Sequence, residues 1–142
     1  MNNNMKTNLI KFSLYIRSNE IDGAVDFTVS PLITPQEVKD NLYIYTWEYD
    51  PRKLFQVSVI MNSRGDGSQS HVLIERVTAG TLDITTDILQ YGIYKRHDTN
   101  EIVKNTYGYM SWPGEYCLKV RTNPMSHKWL MNFFKKSTQI PA

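Results

Sequence analysis

Ile10-Lys11-Phe12-Ser13-Leu14-Tyr15-Ile16-Arg17 alternates strictly at period two. An extended chain sends successive side chains to opposite faces, so Ile10, Phe12, Leu14 and Ile16 share one face and Lys11, Ser13, Tyr15 and Arg17 the other. The stretch therefore reads as a strand with one face on a core. Val25, Phe27 and Val29 repeat the pattern after the turn-forming residues Asn19 to Gly23, so residues 9–30 read as two neighbouring strands. Pro31 ends the second of them.

Outward from there the same signal recurs. Leu42 to Tyr49 and Leu54 to Met61 are rich in β-branched and aromatic residues and flank Asp50-Pro51-Arg52-Lys53, the pattern of a hairpin. Asn62 to Ser68 form a long polar loop, and His71 to Thr78 and Thr81 to Ile84 are strands on either side of Ala79-Gly80. Tyr91 to Arg96 and Glu101 to Tyr109 pair across His97 to Asn100, and Tyr116 to Arg121 is the last strand. Thr34-Pro35-Gln36-Glu37 combines a capping Thr, a Pro at the first helical position and a Glu that completes a capping box, which predicts one or two helical turns to about Asn41. Seven or eight short strands with almost no helix between them predict an all-β, mainly antiparallel fold. The expected architecture is an immunoglobulin-like or jelly-roll-type β-sandwich with a short C-terminal amphipathic helix. The short connections argue against a parallel sheet, since each parallel crossover needs a dozen or more residues.

Pro113-Gly114-Glu115-Tyr116-Cys117-Leu118-Lys119-Val120 resembles the late strand of many immunoglobulin-like and related sandwiches, in which a Gly-containing turn precedes an alternating strand. The resemblance covers eight residues, implies a fold and carries no functional residues.

The chain has 142 residues with 41% hydrophobic and 21% charged, ordinary for one globular domain. The expected organisation is a flexible tail at 1–8 and a single domain at 9–142, ending in a helix at about 126–136. A lone Cys117 closes no intrachain disulfide and builds no thiolate metal cage. Neither a basic start leading into an apolar run nor a stretch of about 18 apolar residues is visible, so the expectation is a cytoplasmic protein, or one exported without a cleavable signal. Sixteen basic against fourteen acidic residues announce no polyanionic partner, and no nucleic-acid-binding motif is present.

Catalytic signals are sparse. His71, His97 and His127 lie far apart with no second ligand at metal-binding spacing, so no metal or cofactor is expected. Glu48 with Asp50, or Asp83 with Asp87, could act as an acid/base pair if a cleft held them together. A small carboxylate-based enzyme is thus the third functional reading.

Three surfaces stand out. Tyr43, Tyr45, Trp47 and Tyr49 share one face of their strand, opposite Leu42, Ile44, Thr46 and Glu48. Outward, the rings form a platform that stacks on sugars or a partner's side chains. Inward, they are core, the orientation favoured by Thr46 and Glu48 on the opposite face. Arg64-Gly65-Asp66 is a tripeptide that some cell-surface receptors read, placed in a turn-forming loop. Lastly, residues 116–142 contain five cationic and no acidic residues, against eleven and fourteen elsewhere. There Ser126 caps a helix in which Trp129, Leu130, Phe133 and Phe134 fall together and Lys128, Lys135 and Lys136 lie opposite. Such a helix lies on a membrane surface, docks into a groove or closes the sandwich. The leading expectation is a non-catalytic interaction module for a partner protein or glycan, binding through the aromatic face and the Asn62 to Ser68 loop. Membrane association through the C-terminal helix is the alternative, and a homodimer through a sheet edge is a further route to partnership.

Overall fold

The computed structural model describes residues 9–31, 33–50, 53–64 and 69–120. Among them are eleven strands and one short helix, all strand pairs antiparallel. The first sheet places β10 (Tyr109–Met110), β6 (His71–Ala79), β1 (Ile10–Asn19), β4 (Leu42–Tyr49) and β3 (Glu37–Lys39) side by side, with β7 (Leu82–Asp83) also on β6. The second runs β2 (Asp26–Ser30), β5 (Phe55–Ser63), β11 (Gly114–Val120), β8 (Ile93–Arg96) and β9 (Ile102–Val103). All-β, antiparallel architecture is as the alternation predicts.

One apolar cluster draws on both sheets. Phe12, Leu14, Ile16, Ile74 and Val77 come from the first, and Val57, Val59, Met61, Tyr116 and Leu118 from the second. Ring contacts cross between them, with Phe12 and Phe55 centroids 5.2 Å apart and Phe27 and Tyr43 5.0 Å apart. Each large side chain taken fully out of water contributes about 1.5–3 kcal/mol, so this shared cluster is what holds the sheets to one another.

Several sequence expectations are corrected. β1 and β2 do not pair, and neither do β4 and β5, because each couple is divided between the two sheets. β1 instead pairs β4 along eight residues, Ile10 opposite Tyr49 through Arg17 opposite Leu42, while β5 lies between β2 and β11. The chain passes from the first sheet to the second between Tyr49 and Phe55, so turn-forming residues in sequence do not by themselves imply a hairpin. Residues 37–39 are a strand and not a helix. Asp40 and Asn41 have φ of 51° and 65° and form the two-residue link from Lys39 to Leu42, the positive-φ pair that matches strand twist in tight hairpins. That turn overrides the capping box before it. Residues 101–109 are not one strand: β9 belongs to the second sheet and β10 to the first, with Asn105, Tyr107 and Gly108 at positive φ between them. Thr85–Leu89 forms a helix, α1, that the sequence reading did not anticipate. The predicted helix at 126–136 and the tail at 1–8 lie outside the described residues.

Candidate functional site

The four-ring row turns inward. Tyr45 and Tyr49 are buried, Tyr43 and Trp47 half-buried against the same cluster, and Glu48 faces water. Burial pushes both the Tyr45 and Tyr49 phenols up to about 12, because the phenolate loses its hydration there. The outward platform is therefore corrected: Tyr45 and Tyr49 have no accessible ring face to offer a ligand. Exposed aromatic surface lies elsewhere, at Tyr91 and at Tyr107, Tyr109 and Trp112, the last three from the segment that leads through β10 into β11.

The sheet order explains what collects around Trp112. β11 enters at Gly114, which sits opposite Met61 on β5 and Arg96 on β8. The flanking strands thus bring Arg64, just beyond the end of β5, and Arg96, the last residue of β8, to either side of the entry. Gly114 is required there, since a Cβ would stand 2.4 Å from the Lys95 carbonyl oxygen. Both cations reach the Trp112 ring. The Arg64 Cζ lies 3.9 Å and the Arg96 Cζ 4.6 Å from the ring centroid, well within cation–π range.

Polar contacts fix this group from beneath. The Tyr94 hydroxyl donates to the Trp112 carbonyl oxygen at 2.5 Å and accepts from the Trp112 N–H at 3.1 Å. Tyr94 is itself buried, and that burial raises its pKa, partly offset by the bond to the Trp112 carbonyl. Arg64 Nη1 donates to the Ser111 carbonyl oxygen at 2.7 Å, and the His97 N–H donates to the Pro113 carbonyl oxygen at 3.0 Å. Arg96 forms a fork with Asp98, Nε to Oδ1 at 3.0 Å and Nη2 to Oδ2 at 2.6 Å, which holds the Asp98 carboxyl below the usual range. Nearby, the His71 and Tyr109 rings lie 4.7 Å apart, and Tyr109 is opposite Leu73 in the β10–β6 pair. The backbone of Trp112 is therefore clamped while the residue stays 41% exposed.

Of the residues singled out from sequence, Arg64 belongs to this group, committed to Trp112 and Ser111. Asp66, Trp129, Phe133, Lys135 and Lys136 lie outside the described residues. Cys117 lies on β11, inside the second sheet and not at an edge. Asp83 accepts from the Thr85 N–H at 3.0 Å and from its hydroxyl, and those bonds lower its pKa, the wrong direction for a general acid. No group of three His, Cys, Asp or Glu able to hold a metal occurs among the described residues. Trp112 and Arg96 escaped the sequence reading because they meet only through the pairing of β8 with β11, and the one local cue, Trp-Pro-Gly, reads only as a turn.

No family model, curated protein or solved structure matches the chain.

Proposed function

We propose that this chain is a non-catalytic recognition module that binds a partner protein through the Trp112 end. Its two sheets are read as the layers of an immunoglobulin-like or jelly-roll-type sandwich, and its strand-end loops carry the contact. The observation behind this reading is the half-exposed Trp112 ring flanked by Arg64 and Arg96. Trp, Tyr and Arg are the residue types enriched at interface hot spots, and a side chain already held in place loses little entropy on binding. A ring left in water does little for folding, whereas covering it at an interface removes a large apolar surface.

A photo-crosslinking residue placed at the exposed position 97 of the full chain, whose N–H bonds the Pro113 carbonyl oxygen beside an intact Trp112, compared with one at the exposed position 48, tests the proposal in cells that make the protein. A discrete adduct from position 97 that is absent from position 48, and lost when Trp112→Ala is added, is expected. The same adducts from both positions, or none from 97, would overturn it.

A further inference from the structure

Three irregular features of the first sheet converge on one open pocket of about 350 Å³. The first is a bulge: the β1–β6 register shifts between Tyr15, opposite Arg76, and Ile16, opposite Ile74, which leaves Glu75 as the extra residue. The second is α1, whose Thr86 and Leu89 line the pocket. The third is Tyr107, with φ of 49° although it is aromatic, followed by Gly108 at 92°. Bulges re-aim side chains, and left-handed backbone at a bulky residue persists only where its surroundings impose it. Here the Gly108 carbonyl oxygen accepts from the Ile74 N–H at 2.8 Å. The Tyr116 hydroxyl accepts from the Gly108 N–H and donates to the Leu89 carbonyl oxygen, both at 3.1 Å. One buried phenol thus ties the Tyr107 turn to α1, and the walls of the pocket are fixed relative to each other.

The lining chemistry selects the ligand. Leu73, half-buried, supplies apolar surface above the buried Ile74 and Leu89, and Tyr107 adds an exposed aromatic side chain. The Glu75 carboxylate carries its own counter-charge, since Arg17 Nε donates to Oε2 at 2.6 Å and Nη2 to Oε1 at 3.2 Å. A cationic ligand therefore gains little there, and an anionic one meets the carboxylate. A wholly apolar ligand would strip water from Glu75 and Thr86 with nothing returned. Glu75 keeps acceptor capacity, and the Thr86 and Tyr107 hydroxyls have no hydrogen-bond partner among the described residues. What fits apolar surface, an aromatic ring and neutral donors and acceptors together is a polyhydroxylated ring with one C–H face. We infer that this pocket is a saccharide subsite: one neutral sugar ring lies against Tyr107 and Leu73, with its hydroxyls bonded to Glu75 and Thr86. The volume lies at the small end of ligand pockets and suits a single ring.

Saturation-transfer NMR on the full chain tests this with four probes: the methyl glycosides of glucose, galactose, mannose and N-acetylglucosamine. At least one should saturate with a dissociation constant on the order of a millimolar, weak as befits a shallow site with few contacts. Tyr107→Asn removes the ring with a residue that tolerates the left-handed backbone, and Thr86→Val removes a hydroxyl at constant shape, so both variants keep the fold. Each should weaken binding about tenfold, while the melting temperature holds for Thr86→Val and rises for Tyr107→Asn. Failure of all four probes to saturate below about 50 mM, or saturation untouched by both variants, would overturn the assignment.

Discussion

The Tyr94 hydroxyl bonds to both backbone polar groups of Trp112, donating to its carbonyl oxygen and accepting from its N–H. One buried phenol on β8 thereby sets the position of an exposed indole on the loop before β11. The arrangement separates support from contact: Tyr94 is 3% exposed and Trp112 41%.

Tyr94→Phe tests the support. It leaves two part-buried backbone groups of Trp112 without their partner, which costs about 1–3 kcal/mol, and it frees the indole from its fixed position. Urea unfolding should show that loss, and the position-97 adduct should fade although neither arginine has been touched.

Gly108→Ala tests the turn that carries Tyr107. At φ of 92° a Cβ is strained, and it would stand 2.8 Å from the Ile74 carbonyl oxygen. The expected loss is upward of about 1 kcal/mol, since the backbone must shift and the Ile74 N–H bond shifts with it. Thermal unfolding reads it directly.

Tyr107→Asn should move stability the other way, by about 0.5–1 kcal/mol, because Asn accepts the left-handed region that an aromatic residue resists. A gain in stability accompanied by a loss of sugar binding is the signature of strain retained for a site. An equal fall in both would mean the ring is packing material.

Alkaline pH should unfold the protein through Tyr45 and Tyr49. Their folded pKa values, about 12, lie above the ordinary value of 10.0, so the native state keeps protons that the unfolded chain has already released. The associated stability is whole below pH 10 and is lost as pH rises through 12, on the order of 2 kcal/mol per tyrosine. Phenolate absorbance should appear together with loss of the folded signal in that window.

The sequence was most legible where one strand's own pattern decides its faces. The alternation of Ile10 to Ile16 marks β1, and Thr46 and Glu48 among aliphatics tell which way the rings of β4 turn. Pairing was less legible, because it depends on residues far apart: Tyr49 lies opposite Ile10, and Val120 opposite Phe55. Asp50 to Lys53 look alike whether the chain turns back within a sheet or crosses to the other. The capping pattern at Thr34 to Glu37 is a local preference worth about 1 kcal/mol, too little to compete with the Asp40-Asn41 hairpin and its ladder to β4. The candidate site was the least legible part. Arg64, Arg96 and Trp112 carry no shared spacing and meet only once β11 has inserted between β5 and β8.

Urea unfolding of Trp112→Ala bears most directly on whether that ring serves contact or packing. A loss of about 1–2 kcal/mol is predicted, since a half-exposed indole held against two partly buried cations contributes little beyond its two cation–π contacts. A loss above about 3 kcal/mol, the range for emptying an aromatic from a core, would contradict the account and make Trp112 a structural residue.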